Sequence, residues 1–149
     1  MCIRDRSLKP LAEEACASAT AGWVGAVEFS LDAALTAWAD REKLRGALVN
    51  GIRNALDAMG QTGVLTLRGE ASRASVGLTV EDTGGGVAPD DLQKLFTPFF
   101  TTKTNGTGLG LAYSRKVLEG MGGSATLGNG ARGAVFQLRL AKAKEGSGG

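Results

Sequence analysis

Between residues 40 and 59 apolar side chains return at helical spacing. Leu44, Leu48, Ile52, Ala55 and Met59 fall within about 80° of arc at about 100° per residue, which predicts one helix with a core-facing stripe. Asp40 is placed to cap its start and Gly60 to stop it. "AVEFSL" alternates instead, with Val27, Phe29 and Leu31 on one face, and predicts a strand; a second short strand is expected near "LTAWA". "VLTLRGEA" and "ASVGLTVED" predict two strands joined by a tight connection, and "SATLGN" and "AVFQLRLA" two more at the end. Helices are further expected over residues 8–20 and from about residue 109 to 121, with a short one at "APDDLQKLF". Hairpin-spaced strands mixed with two substantial helices argue for an α+β fold, helices on one face of a largely antiparallel sheet.

Two polar positions break this pattern. Asn50, Asn54 and Asp57 lie within about 60° on the far side of the 40–59 helix. Asparagine is a poor helix former, so a pair at i, i+4 weakens the helix without local return. A solvated face and a binding face both remain open. In the second strand, Val76, Leu78 and Val80 share a face, and period two puts Asp82 on that same inward face. A carboxylate there is costly unless it finds a donor, although an Asp opening a turn into "TGGGV" is the plainer alternative.

Composition narrows the chemistry. The 149 residues suffice for one domain with a core, 43% are hydrophobic, and the net charge is +2 with no basic stripe, which disfavours nucleic-acid binding. No apolar run approaches the ~20 residues of a membrane span. Cys2 and Cys16 make neither a disulfide framework nor a zinc site. Histidine is absent, which removes Ser-His-Asp, Cys-His and His-metal chemistry. Trp23 and Trp38 are read as packing residues.

The stretch "GTGLGL" spaces Gly106, Gly108 and Gly110 before a helix, as a phosphate cradle would. No Lys-Ser/Thr follows, so it is not a P-loop, and the spacing is not that of a dinucleotide fingerprint. Four signals occur in order: "NGIRNALDAM", "EDTGGGV", "LFTPFFTTK" and "GTGLGLAYSRKVLEGMGG", with "GAVFQLRLA" as closing strand. At these residues the chain resembles the ATP-binding catalytic domain of sensor histidine kinases, in the superfamily shared with gyrase B and mismatch-repair ATPases. The wording "PFFTTK…GTGLGL" is most similar to nitrogen-regulation-type kinases. The resemblance spans about residues 24–140.

The resemblance implies a Bergerat-type two-layer sandwich that binds ATP and Mg²⁺. Asn54 would coordinate Mg²⁺ through its side-chain oxygen, with Asn50 helping at the metal or phosphates, as a hard cation prefers. Asp82 would accept from the adenine amino group, and Gly84 and Gly86 would let backbone approach the purine and sugar. Gly106, Gly108 and Gly110 would meet the phosphates at a helix N-terminus. Lys103 would add a point charge from a lid anchored by Phe96, Phe99 and Phe100. Val87, Thr102, Thr107, Leu109 and Leu111 complete the implied nucleotide set. The catalytic set is Asn50, Asn54 and Lys103. The segment 97–105 shows no periodicity and is expected to act as that lid.

There are departures. Asp57 stands where some family members place a basic phosphate contact, and would bond water near the base as in the gyrase branch. Ala134 stands where the closing strand often carries threonine. Hydrolytic members place a glutamate base at the position of Asn50, so phosphoryl transfer to a side chain is favoured over water activation. The acceptor histidine of the family lies on a preceding dimerisation domain, so the chain is expected to be a catalytic fragment. Its partners would be that domain and, through it, a response regulator receiver domain, with homodimerisation only through the missing part. Residues 1–6, "MCIRDR", read as translated sequencing adapter. Residues 7–22 are expected to be the end of a dimerisation helix and linker, 23–141 the catalytic domain, and 142–149 a disordered tail. A cytoplasmic domain is implied, and membrane anchoring of the parent is left open. The alternative is a non-catalytic nucleotide-binding regulatory module; a serine-directed anti-sigma kinase is disfavoured by the long lid.

Overall fold

In chain order the elements are β1 (Ile3–Ser7), α1 (Leu8–Ala19), β2 (Ala26–Ser30), β3 (Thr36–Asp40), α2 (Arg41–Met59), β4 (Val64–Ala71), β5 (Ser75–Glu81), α3 (Gly110–Gly120), β6 (Ser124–Asn129) and β7 (Ala134–Ala141). This computed structural model describes residues 3–31, 35–73, 75–84, 110–130 and 133–141, with the backbone alone at 3–7, 38, 110 and 111. Five strands form one mixed sheet in the order β2-β4-β5-β7-β6. Only β2 and β4 run parallel within it; the other pairs are antiparallel. The α+β expectation of helices on a largely antiparallel sheet therefore holds.

Strand alternation decides which face the helices cover. Leu67, Val80, Phe136 and Leu127 form one cross-strand row, and Leu78, Leu138 and Ala125 the next. All but Leu127 are buried, and they share one hydrophobic core with Leu44, Leu48 and Ile52 of α2 and Leu118 of α3. The opposite face is polar: Arg68 pairs with Glu81 across β4 and β5, and Arg139 with Glu70. Both arginines are partly exposed, so water screens the two pairs and keeps their contribution small, with only Glu81 itself buried.

Local signals set the helix ends as expected. Asp40 caps α2, its carboxylate accepting from the Lys43 amide at 3.1 Å, and Gly60 ends it at φ 75°. Gly51 has a different task. A Cβ there would run into the Phe136 ring, so a glycine in the middle of α2 lets the helix lie directly on β7.

Two features of the N-terminal segment add to its expected reading. Residues 8–20 read as the tail of a preceding helix, but α1 is built into this core: Leu8, Leu11, Ala12, Ala15 and Cys16 are buried with the α2 stripe. Glu14 of α1 also pairs with Arg41 and Arg45 of α2 at 2.7 and 2.9 Å. A twelve-residue helix with a buried stripe needs a partner surface, and α2 supplies it. Residues 3–6, within the stretch read as adapter, pair with Ser7 antiparallel to β3 from Ile3↔Asp40 to Ser7↔Thr36. Such pairing is made by main-chain groups and asks little of the side chains.

Phe29 also departs from its expected inward role. It is 42% exposed, because β2 is the outermost strand and its inner face runs past the helix layer. Burial pushes the Cys16 thiol up from its ordinary pKa, with a hydrogen bond from Thr20 opposing the rise, so the group is inert packing at neutral pH.

The same substitution should have opposite signs at two helical glycines. Gly51→Ala is expected to cost about 1–3 kcal/mol through overpacking against Phe136. Gly120→Ala, with open space around it, should stabilise by about 0.5 kcal/mol. Urea unfolding midpoints of the two variants check this; a stabilising Gly51→Ala would contradict the close packing.

Candidate functional site

Asp82 follows the last residue of β5 and continues its inward row, as period two requires. It is 2% exposed. Its Oδ1 accepts from the Gly84 amide at 2.9 Å and from the Ala134 amide on β7 at 3.1 Å, and its own amide donates to the Ala134 carbonyl at 3.1 Å. The two readings of Asp82 in the sequence thus merge. It is a buried carboxylate, and it opens the turn through Gly84. Charge-assisted bonds from two main-chain donors are what allow the burial.

The loop after Asp82 lies against the last turns of α2. A Cβ on Gly84 would come within 2.6 Å of the Ala58 carbonyl oxygen, so glycine is required there by the helix itself. Thr83 fastens the same junction, its Oγ1 accepting from the Val64 amide at 3.2 Å and donating to Met59 Sδ at 3.5 Å. Asn50 and Asn54 are half-buried on α2, and Asp57, one turn further along the same row, is exposed.

Helix α3 reaches the other end of this row, and two contacts give its register. Met121 Sδ, just past the helix, accepts from the Asp40 amide at 3.4 Å, and Ser114 Oγ donates to the Ala47 carbonyl at 3.1 Å. Seven residues separate each pair of anchors, counted backward on one helix and forward on the other. The helices therefore run antiparallel. Four residues before Ser114, the first residue of α3, Gly110, stands level with Gly51, beside Asn50. At about 100° per residue, Asn50 and Asn54 project between the directions of Gly46 and Ala47, the two positions facing α3 through Tyr113 and Ser114.

A site bounded in this way runs along α2 from Asn50 to Ala58, about 12 Å at 1.5 Å per residue. The Asp82–Gly84 turn closes one end, and the N-terminus of α3, with its positive dipole, closes the other. Two amide oxygens lie between. That arrangement suits an elongated ligand with a hydrogen-bonding group at one end and negative charge at the other.

Of the residues singled out from the sequence, Asn50, Asn54 and Asp57 lie on α2, Asp82 and Gly84 on the turn packed against its Ala58, and the backbone of Gly110 at the start of α3. Leu111 is placed in α3 by its backbone. Gly86, Val87, Phe96, Phe99, Phe100, Thr102, Lys103, Gly106, Thr107, Gly108 and Leu109 lie outside the described residues, as do the short helix expected at 88–96 and the lid expected at 97–105. Two contributors had not been singled out. Gly133 sits so close that a Cβ would strike the Asp82 carbonyl, and its only sequence signal is a glycine opening the closing strand. Ser114 is fully buried, and its signal is a hydroxyl inside an otherwise apolar helix face.

Comparison with known proteins gives one family and a common kind of relative. Residues 39–144 match the family of histidine kinase-, DNA gyrase B- and HSP90-like ATPases. The sensor histidine kinase ZraS of Escherichia coli (strain K12) is 42% identical over 103 residues, 68% of this chain and 22% of that protein. The catalytic domain of histidine kinase ThkA, in a nucleotide-free form, superposes with a TM-score of 0.87 at 30% identity, covering 96% of this chain and 97% of that one. ThkA in complex with the response regulator protein TrrA gives a TM-score of 0.81 at 27% identity, over 94% of this chain and 42% of that one. The chain spans about a fifth of the length of the curated relatives it matches.

Gly133→Ala should dislodge Asp82 and the bond from the Ala134 amide. A loss of about 1–3 kcal/mol in urea unfolding is expected. Gly130→Ala, whose Cβ would meet the Val135 and Glu81 side chains rather than Asp82, should leave the Ala134 amide protected from hydrogen exchange. Equal loss of protection in both variants would count against the cradle.

Proposed function

This chain belongs to the histidine kinase-, DNA gyrase B- and HSP90-like ATPase family, and on that footing we propose that it binds Mg-ATP and passes the γ-phosphoryl group to a histidine carried on another domain. Its sequence and fold match the catalytic ATPase domain of sensor histidine kinases. The observation that carries the reading is the 12 Å row itself, about that length by helix rise, with a buried carboxylate at one end and a helix N-terminus at the other.

Asp82 would recognise the base. Oδ1 is taken by two backbone amides, so Oδ2 is the atom assigned to the adenine amino group. Asn50 and Asn54 offer neutral oxygens, and their donor chemistry fits a hard cation already shared with phosphate oxygens. Bound there, Mg²⁺ would neutralise charge on the phosphates. Lys103 and the glycines Gly106, Gly108 and Gly110 would complete the phosphate contacts, with Gly86, Val87, Phe96, Thr102, Thr107, Leu109 and Leu111 around the nucleotide.

The chain's part in the reaction is to hold and orient. In the transfer, a bond forms between the acceptor nitrogen and phosphorus while the bridging oxygen–phosphorus bond breaks, and ADP leaves with that electron pair. No histidine is present in the 149 residues, so the acceptor comes from elsewhere, as on the dimerisation domain of a parent kinase. ThkA is seen with a response regulator, which supports a receiver domain as the downstream partner here. Among the described residues no helix is long and apolar enough to cross a membrane.

Asp82→Asn keeps one oxygen for the two amides but turns a donor toward the base amino group. It should weaken ATP and ADP alike, by about tenfold or more. Asn54→Ala should act through the metal, losing about tenfold with Mg²⁺ present and little without it. Calorimetric titration reads both, and equal losses for Asn54→Ala in the two conditions would sink the metal role.

Purified alone, the chain should acquire no acid-labile phosphate from labelled ATP. Mixed with a matching histidine-bearing helical hairpin, it should transfer phosphate slowly in trans, because the tether that raises effective concentration is missing. Asn54→Ala should abolish the transfer. Tight ATP binding with no transfer to any supplied acceptor would instead support a regulatory binding module.

A further inference from the structure

We propose that Ser114 is a positioning residue for the nucleotide phosphates, fixing how far the N-terminal end of α3 reaches along the Asn50–Asn54 row; this rests on the functional reading above. The side chain is fully buried, and Oγ donates to the Ala47 carbonyl at 3.1 Å. Ala47 belongs to the helix that carries both asparagines. Its carbonyl sits at the point where the helical bond from Gly51 is made, and a carbonyl oxygen has lone pairs for both donors.

The chemistry of the helix contact explains why a hydroxyl is needed. Where Tyr113 and Ser114 meet α2 they face Gly46 and Ala47, which present almost no side chain to interlock with α3, while Leu44, Leu48 and Leu118 share the core beneath. Small residues at this part of the contact resist sliding less than interdigitated ridges do. A hydrogen bond is directional and weakens steeply as its angle departs from linear, so it adds resistance to translation. Sliding by one residue would carry Gly110 about 1.5 Å along α2. Phosphate contacts of about 3 Å at the helix end would then be lost, whereas Asp82 and its turn, held by β7 and the far end of α2, would not move.

The position itself favours this over plain packing. Ala112 and Leu118 show that the buried face of α3 otherwise uses apolar side chains. A hydroxyl buried there gains only about 1 kcal/mol net when bonded, so stability alone gives little reason for it. The second contact, Met121 Sδ to the Asp40 amide, lies at the opposite end of α3, and sulfur is a weak, long acceptor. Ser114 is therefore the firmer of the two anchors, and the nearer to the phosphate end.

The test uses the full chain and two ligands that share a base but differ in phosphates: Mg-ATP and AMP. Ser114→Ala should weaken Mg-ATP about fivefold while AMP changes by less than about twofold. Ser114→Thr, which keeps the hydroxyl, should restore the wild-type ratio of the two affinities. Ser114→Cys, close in shape but a weak donor, should fall with Ala, and it reads the ratio even if the alanine variant does not fold. Thr79→Val, a buried hydroxyl on the far face of the sheet, should leave the ratio unchanged whatever it costs in stability. Equal losses for both ligands in the Ala and Cys variants, or a wild-type ratio in both, would overturn the proposal. If the unmodified chain failed to bind Mg-ATP more tightly than AMP, the functional reading would fall and this inference with it.

Discussion

A carboxylate buried at the end of a strand must be bonded by something that cannot move away, and Asp82 is bonded by main chain. The Ala134 amide belongs to the neighbouring strand β7, and the Gly84 amide belongs to the turn that Asp82 itself opens. One charge thus joins the sheet to the loop over α2. The surrounding glycines follow from it. Gly133 has no side chain because Asp82 occupies the space, and Gly84 has none because Ala58 does. Desolvating the group costs several kcal/mol unless these bonds are kept, so the turn is held in one conformation by the same term that threatens the fold.

Helix α2 then acts as a ruler. Its apolar stripe sits on the inner face of the sheet, with Gly51 letting Phe136 come close. Its other side carries Asn50 and Asn54, and the two boundaries of the site are measured from it: the Asp82 turn at Ala58 and the first residue of α3 level with Gly51. Because the stripe fixes the rotation of α2, burial of Leu44, Leu48 and Ile52 also determines where the asparagines face. Packing and the proposed site are thus coupled through one degree of freedom, the rotation of a helix about its axis.

Where the sequence was legible, a strong period or a strong local rule did the explaining. The α2 stripe, its Asp40 cap, the Gly60 stop and the inward Asp82 all follow from 3.6- and 2-residue periodicity with capping chemistry. Three features were not legible, each for a physical reason. The role of α1 depends on a partner surface, and an amphipathic stripe looks the same whether it packs on its own domain or another. Phe29 alternates correctly, yet strand position in a sheet is a long-range property, and an edge strand exposes what a central one buries. Gly133 and Ser114 act by contact with residues 51 and 67 positions away, a relation that no local window contains.

The choice of amides along the row has a consequence for what the proposed site does with ATP. A carboxylate beside the terminal phosphate can take a proton from water and so promote hydrolysis; an amide oxygen binds a cation or bonds a donor but takes no proton near neutral pH. With asparagine at both Asn50 and Asn54, those two positions would hold and orient the nucleotide without activating a nucleophile. Phosphoryl transfer needs little more from the protein than alignment and charge neutralisation, and the reactive nitrogen can then be brought from outside. Timing would pass from chemistry to geometry. The rate would depend on how often an acceptor is presented in line with the phosphate, which a tether or a signal-driven movement of another domain can change many-fold without altering any residue of this one.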